Sequence, residues 1–177
     1  MSETVKHGCD HIFFVGFLGA GKSTLARNLG QMFNRRYVDT DRMVERRRGL
    51  PVSEIFEKDG EERFRELETE VLEGLRVRAS LLVSCGGGVV ETPRNIELIH
   101  EMGYCVYLDG DLDDSLRQMR RSDTRPDFES PEHAAELLEH RRPLYAEAAD
   151  LTVDIRGKDF TEVSYSVAEL LLERDLI

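Results

Sequence analysis

Residues 16–24 read Gly16-Phe17-Leu18-Gly19-Ala20-Gly21-Lys22-Ser23-Thr24, and the organisation of the chain follows from this pattern. The apolar run His11-Ile12-Phe13-Phe14-Val15 precedes it, and a helix-compatible segment, Leu25 to Phe33, comes after it. A strand, then G-x-x-x-x-G-K-S, then a helix is the order of a phosphate-binding loop, or Walker A motif. A glycine-rich turn followed by Lys-Ser by chance is the alternative, and the two flanking segments favour the motif.

The chemistry of the motif predicts bound nucleotide phosphates and Mg²⁺. Its glycines let backbone N–H groups turn inward and form an anion nest at the positive N-terminus of the helix. Lys22, a candidate catalytic residue, reaches the β- and γ-phosphates, and the Ser23 hydroxyl is a candidate ligand of Mg²⁺. The predicted nucleotide contacts come from Gly19, Ala20, Gly21, Lys22, Ser23 and Thr24.

Length and charge restrict the class of protein. A chain of 177 residues suggests one domain, residues 1–177, with a substantial hydrophobic core. The net charge of −11, from 24 basic and 35 acidic side chains, disfavours a nucleic-acid partner. The densest basic run, Arg46-Arg47-Arg48, is expected to be the solvated end of a helix.

Further sequence features favour a cytoplasmic protein without a membrane partner. No apolar run approaches the ~20 residues of a membrane span, and the N-terminal residues lack the apolar core of a secretion signal. The cysteines Cys9, Cys85 and Cys105 are odd in number and form no C-x-x-C, which fits free thiols in a reducing compartment. The five histidines show no spacing typical of a zinc site.

Segments of strand and helix character alternate along the chain. Five short runs have strand character, at residues 11–15, 36–41, 81–84, 105–109 and 151–155. A helical pattern over Glu61 to Arg78 follows a break at Gly60. Strands that are apolar on both faces indicate a parallel sheet covered on both sides. We therefore predict an α/β three-layer sandwich with a five-stranded parallel sheet.

The first three strands are each followed by a polar or glycine-rich loop, and these loops should meet at one edge of the sheet. After the second strand come Asp39 and Asp41, whose side chains point the same way if the segment is extended. One carboxylate then serves Mg²⁺ while the other faces an acceptor hydroxyl. The alternative is a helix cap by Asp41, with Asp39 as a turn residue.

The third loop and three arginines complete the candidate set. Gly86-Gly87-Gly88 permits close approach of the backbone to a ligand, whereas a tight turn needs only one or two glycines. Arg65 has Glu61 and Glu68 at helical spacing, so a surface ion pair is the ordinary alternative. For Arg141 and Arg142, spacing alone does not exclude two solvated helix residues.

Together these motifs resemble the shikimate kinase family from His11 to about Ile155. Beyond the phosphate loop, the matching motifs are Asp39-Thr40-Asp41, Ile55-Phe56, Gly60-Glu61-Glu62-Arg63-Phe64-Arg65, Gly86-Gly87-Gly88, Arg125-Pro126 and Arg141-Arg142-Pro143-Leu144-Tyr145. The resemblance implies the P-loop fold of nucleoside monophosphate kinases, with an acceptor-binding region at about 40–70 and a mobile lid at about 121–131. It also implies ATP-dependent phosphorylation of the shikimate 3-hydroxyl, a step of aromatic amino-acid biosynthesis.

The resemblance also implies a role for each acceptor-site residue. Arg65 and Arg141 would bind the shikimate carboxylate, as arginine forks suit. Asp41 would bind ring hydroxyls and act as the base or orienting group. Gly87 and Gly88 would supply backbone contacts.

On the ATP side, the resemblance implies that Ser23 and Asp39 serve Mg²⁺. Arg125 would act from the lid on the transferring phosphoryl group, as a catalytic and ATP-binding residue. Arg121 would lie against the adenine, with the region around Arg156 opposite. The expected partners are shikimate and ATP, bound by a monomer.

The chain departs from the family pattern at two places, and two other functions remain as alternatives. Asp127-Phe128 stands where two leucine-like residues are expected after Arg125-Pro126, and Cys85 stands where threonine is usual.

The alternative enzyme is a related small-molecule kinase, such as one acting on gluconate. The alternative of another class is a nucleotide-binding regulatory module without turnover.

Overall fold

The computed structural model describes residues 9–119 and 130–177, and its five strands form one parallel sheet. The strands are β1 (His11–Gly16), β2 (Tyr37–Asp39), β3 (Leu82–Ser84), β4 (Gly103–Asp109) and β5 (Leu151–Asp154). Their order across the sheet is β2-β3-β1-β4-β5. The strand that leads into the phosphate loop is therefore central, and β2 is an edge strand.

Helices follow the strands and cover the two faces of the sheet. They are α1 (Lys22–Met32), α2 (Thr40–Arg48), α3 (Val52–Glu73), α4 (Pro93–Met102), α5 (Leu112–Met119), α6 (Pro131–Ala148) and α7 (Phe160–Leu172). Short 3-10 turns at Gly74–Val77 and Val89–Glu91 lie between α3 and β3 and before α4. None of the helices in the described ranges has an apolar stretch long enough to cross a bilayer.

The alternation of side chains along β1 produces the layers. Ile12 and Phe14 point to one face and pack with residues of α1 and α7. Phe13 and Val15 point to the other face, where α4 and α6 contribute to the core. All four side chains are buried, as expected for a central parallel strand. The predicted three-layer α/β sandwich is confirmed.

A separate apolar cluster joins α2 to α3 and positions part of the candidate site. Its buried members are Val44, Ile55, Phe64, Leu67 and Val71. Gly60 has φ 85° and ψ 166°, so α3 is interrupted there, as the sequence predicts. The second half of α3 ends at Glu73, earlier than predicted, because a 3-10 turn follows.

The predicted extended geometry of the Asp39-Thr40-Asp41 segment is wrong. Helix α2 begins at Thr40, and the Asp39 carboxylate accepts a hydrogen bond from the Arg42 N–H at 3.2 Å. Asp39 is therefore the helix cap, and Asp41 lies in the first helical turn. The two carboxylates have different neighbours: Asp39 accepts from Ser23, and Asp41 lies against Gly86.

All three cysteines are free thiols, as the sequence analysis predicts. Cys85 and Cys105 are buried and Cys9 is half-buried, and none forms a disulfide. Burial raises the pKa of the Cys85 thiol and that of the Cys105 thiol. Both buried thiols are therefore protonated at neutral pH and unreactive.

His11 is a polar residue buried at the start of β1. Its Nδ1 accepts a hydrogen bond from the Leu81 N–H at 3.1 Å, so the proton is on Nε2. Nε2 donates to the Leu75 carbonyl, also at 3.1 Å. Burial lowers the pKa of the His11 imidazole below its ordinary value of 6.5. Neutral His11 therefore ties the end of α3 to the entry of β3.

Acidification should destabilise the fold through His11. The contribution of the neutral imidazole is fully present above about pH 6.5 and is lost as the pH falls towards the lowered pKa. Between about pH 7.5 and pH 5.5 the parent should lose about 1 kcal/mol more unfolding free energy than His11→Gln, whose amide does not titrate. Urea denaturation followed by circular dichroism at both pH values measures this difference. Equal losses in the two proteins would contradict it.

Candidate active site

The three predicted loops meet at the carboxyl edge of the sheet. The Ser23 hydroxyl at the start of α1 donates to Asp39 Oδ2 at 2.6 Å. The same hydroxyl is 3.0 Å from the Ser84 hydroxyl at the end of β3. The backbone N–H of Gly86 donates to Thr40 Oγ1 at 2.9 Å. The predicted convergence of the loops is confirmed.

The phosphate loop leaves the N-terminus of α1 available to an anion. Gly21, the residue before α1, has φ +85°, and a Cβ there would collide with the Phe160 ring of α7. No side chain caps α1, and its first turn contains no acidic residue. The orphan N–H groups and the positive end of the helix dipole therefore remain for a negatively charged ligand.

Lys22 lies across the same loop. Its ammonium group donates to the carbonyl oxygens of Gly16 and Phe17, each at 2.8 Å, and the residue is only 8% exposed. The carbonyls hold the positive charge over the anion nest. This geometry fits a group that neutralises bound phosphates.

Ser23 and Asp39 present two hard oxygen ligands side by side. Within the described ranges, no group of three or more His, Cys, Asp or Glu residues is arranged to hold a metal. A single hydroxyl and a single carboxylate do not form a protein cage for zinc, but they suit Mg²⁺, which keeps waters and phosphate oxygens. The donor set therefore fits the predicted ion.

Three buried glycines allow side chains of the candidate acceptor site to approach the backbone. A Cβ on Gly88 would collide with the Arg65 guanidinium, and one on Gly86 would collide with the Asp41 carboxylate. A Cβ on Gly87 would lie 3.5 Å from Arg141 Nη1. The three predicted substrate-binding side chains thus surround this loop. A tight turn alone would not require three glycines here.

Arg65 is largely buried, although its ion pairs are the expected ones. Its side chain is 13% exposed and reaches Glu61 at 3.2 Å and Glu68 at 3.1 Å. Its Nε is buried without a hydrogen-bond partner. The surface ion-pair interpretation therefore identifies the partners correctly but not the burial.

Glu68 is a buried carboxyl group beside the same loop. Its side chain is 1% exposed, and its Oε1 has no hydrogen-bond partner. Burial raises the pKa of the Glu68 carboxyl to about 7 although the Arg65 guanidinium opposes the rise, and the Asp41 carboxylate adds to it. Two orphaned polar atoms, on Arg65 and Glu68, thus remain for groups of a ligand.

Arg141 is buried inside α6, so the solvated-residue interpretation is wrong for it. Its side chain is 2% exposed and its Nε donates to Glu91 Oε1 at 2.8 Å. Burial raises the pKa of the Glu91 carboxyl, but hydrogen bonds from Arg141 and His140 outweigh this and hold it below its ordinary value. Arg142 instead reaches Asp109 at 3.1 Å from a half-exposed position.

Several supporting residues were not identified from the sequence. Thr40 accepts the Gly86 N–H, and the Tyr145 hydroxyl donates to the Gly87 carbonyl. Asn95 donates to the Val89 carbonyl at 3.0 Å and accepts from Thr69 at 2.7 Å. No local sequence pattern marks these supporting residues, because each contact joins separate elements.

Arg156 lies at the same edge of the sheet, in an acidic environment. It forms ion pairs with Asp109 at 3.0 Å, Asp111 at 2.8 Å and Asp154 at 3.1 Å. Hydrogen bonds to Asp111 and Asp109 raise the pKa of the Arg156 guanidinium. The predicted lid residues Arg121 and Arg125 lie outside the described residues.

A parallel sheet with a phosphate loop after its central strand, and an acceptor site beside that loop, defines a P-loop kinase. The profile of the shikimate kinase family matches residues 18–172. The chain belongs to the shikimate kinase family. The resemblance noted in the sequence is therefore confirmed at the level of the family and the fold.

Individual relatives support the assignment over nearly the whole chain. Shikimate kinase of Geobacter sulfurreducens is 37% identical over 175 residues, which cover 97% of this chain and 96% of the relative. Among solved structures, shikimate kinase from Acinetobacter baumannii in complex with shikimate has a TM-score of 0.89 at 32% identity, covering 97% and 98% of the two chains. The enzyme from Aquifex aeolicus has a TM-score of 0.79 at 31% identity, covering 94% and 98%.

Titration of Glu68 should make the protein less stable as the pH rises. A raised pKa means that the stabilising contribution of the protonated carboxyl is fully present below about pH 4.5 and is lost as the pH passes about 7. Parent protein should lose up to about 3 kcal/mol through this group, whereas Glu68→Gln should lack this loss.

Unfolding free energies of the parent, Glu68→Gln and Glu61→Gln between about pH 5 and pH 8 test this role of Glu68. Glu61 shares Arg65 but is 63% exposed, so Glu61→Gln should follow the parent. A constant difference between the parent and Glu68→Gln across this range would rule out titration of Glu68 near neutrality.

Proposed function

We propose that this chain transfers the γ-phosphoryl group of ATP to the 3-hydroxyl of shikimate. The observation that carries the proposal is the pair Arg65 and Arg141, two largely buried guanidinium groups from different helices beside one glycine loop. Arginine forks in a dry site select a carboxylate, and the Asp41 carboxylate nearby suits a hydroxyl. The related Acinetobacter structure, described as a complex with shikimate, supports this acceptor.

The nucleotide side of the proposal rests on the phosphate loop. Residues 19–24 hold the phosphates of ATP, and the Lys22 ammonium group neutralises the charge of the β- and γ-phosphates. Ser23 and Asp39 would hold Mg²⁺, which supplies further neutralisation of phosphate charge when it is bound. The helix cap made by Asp39 keeps that carboxylate turned towards Ser23.

The acceptor side separates two tasks. Asp41, in the first turn of α2, orients the hydroxyl and accepts its proton. Arg65 and Arg141 hold the carboxylate at the other end of the ring, and Gly87 and Gly88 contribute backbone contacts. The orphaned Nε of Arg65 and Oε1 of Glu68 gain partners from the bound acceptor.

The remaining assignments extend the proposal beyond the described contacts. Arg125 acts on the phosphoryl group from a lid at about residues 121–131, and Arg121 and Arg156 flank the adenine. The acceptor-binding region spans about residues 40–70 within one domain, residues 1–177. We propose a cytoplasmic monomer, and the net charge of −11 supports the absence of a nucleic-acid partner.

Activity should depend on the acceptor. With ATP and Mg²⁺, a coupled assay should detect ADP release with shikimate but not with quinate or gluconate. Gluconate has no ring, and quinate carries an additional hydroxyl on the carbon that bears the carboxylate. Release with gluconate alone would indicate the related kinase, and ATP binding without release would indicate the regulatory module.

Folded Lys22→Ala should lose turnover by at least about 10²-fold in the same assay, because the Lys22 charge stabilises the phosphate oxygens in the transition state.

Acceptor binding should depend on both buried arginines. Arg65→Ala and Arg141→Ala should each weaken shikimate binding by about 2–5 kcal/mol while ATP-analogue binding changes little. Arg142→Ala is the matched control, because Arg142 is paired with Asp109 and lies outside the acceptor site. Calorimetric titration of each ligand separates the two effects. Equal weakening for both ligands would indicate general damage rather than loss of the carboxylate site.

A further inference from the structure

A groove lined by arginines lies at the β2 edge of the sheet, between α1, α2 and α3. Its volume is about 690 Å³, within the range of small-molecule sites. Two carboxylates and five arginines line it, the latter being Arg27, Arg42, Arg46, Arg47 and Arg78. None of the proposed acceptor-site residues belongs to this lining. We call it the arginine groove.

Most of these arginines have no ion-pair partner. Arg47 reaches Glu70 at 2.8 Å, but within the described ranges no carboxylate lies within 4.0 Å of the guanidinium of the other four. Among the other arginines whose side chains the structure describes, only Arg35 and Arg36 also lack an ion pair; both lie outside the groove, and Arg35 donates to backbone carbonyls instead. In a chain of net charge −11, unpaired arginines are therefore concentrated in one place.

The concentration of charge favours an anionic ligand over simple solvation. Like charges that face one cavity repel each other, and an anion between them converts repulsion into charge-assisted hydrogen bonds. Exposed arginines beside the short edge strand β2 also discourage sheet pairing. That role does not require arginines of α1, α2 and the segment after α3 to line the same cavity.

The shape and the remaining lining point to a compact ligand. Val38, Met43 and Val71 supply apolar contacts, and Tyr37 is 46% exposed. Ser23 and Asp39 also belong to the lining, so the groove adjoins the phosphate loop. A groove of this volume, with guanidinium donors from separate elements, suits several clustered phosphate groups better than a long acidic chain.

We propose that the arginine groove binds a compact anion that carries at least two phosphate groups, at a second position beside the phosphate loop, which contributes Ser23 and Thr24 to the lining. The guanidinium forks bind phosphate oxygens, and the charge of the ligand relieves the repulsion between them. This site is independent of the acceptor chemistry proposed above. The proposed ligand also accounts for Arg46, a residue of the basic run at the end of α2 that has no role in the proposed phosphoryl transfer.

The probe is inorganic tripolyphosphate, titrated by calorimetry into the parent and variant proteins. The parent should bind two ions: one at the phosphate loop, which a non-hydrolysable ATP analogue displaces, and one in the groove, which the analogue does not displace at one molar equivalent. Arg46→Gln/Arg78→Gln should keep the first ion and bind the second at least about tenfold more weakly. Arg36→Gln, outside the groove, should behave like the parent.

Each other outcome overturns the proposal. A parent that binds only the displaceable ion has no groove site, and a double variant that still binds both ions places the second site elsewhere. A decaglutamate peptide is the second probe, and tighter binding of this peptide than of tripolyphosphate would identify an acidic protein surface instead. Failure of shikimate phosphorylation leaves these readouts unchanged, because none of them requires turnover.

Discussion

Burial of two guanidinium groups beside Gly86-Gly87-Gly88 is the constraint on which the candidate site depends. A cation removed from water needs a carboxylate partner, and Arg65 and Arg141 obtain Glu68 and Glu91. The partner of Arg65 is itself buried, so the pKa of Glu68 rises to about 7. Arg65 and Asp41 pack where side chains on Gly88 and Gly86 would stand. In the pair of Arg65 and Glu68, one polar atom of each side chain is buried without a hydrogen-bond partner.

Electrostatics explains how an acidic protein can bind anions. The chain carries a net charge of −11, yet positive groups are concentrated where negative ligands are expected. The uncapped N-terminus of α1 and Lys22 lie where phosphates are proposed to bind, and the buried Arg65 and Arg141 lie where the carboxylate is proposed to bind. The arginine groove, which Asp39 also lines, is a further concentration of positive charge on the protein surface. Fixed local charge, rather than net charge, determines which ligands approach.

Sequence patterns predicted the local structure correctly where a motif has a geometric requirement, and less well where local hydrogen bonds compete. Asp39 and Asp41 were expected on one side of an extended segment, but the Asp39 carboxylate caps α2, and the helix already begins at Thr40. Spacing related Arg65 to Glu68 because both lie on one helix. It could not distinguish the buried Arg141 from its half-exposed neighbour Arg142, since burial depends on α6 packing against the 3-10 turn at Val89–Glu91.

The succession of strands along the chain, the phosphate loop and the five-stranded parallel sheet were readable from the sequence alone, because periodicity, glycine spacing and apolar runs act over a few residues. The order of the strands across the sheet was not. The contacts of Thr40 with Gly86 and of Arg141 with Glu91 join residues about fifty positions apart, and only the packed sheet brings them together. The same holds for the raised pKa of Glu68, which requires its burial, and for the arginine groove, which collects side chains from separate elements. Such properties arise from desolvation and from charges that are close in space but distant in sequence.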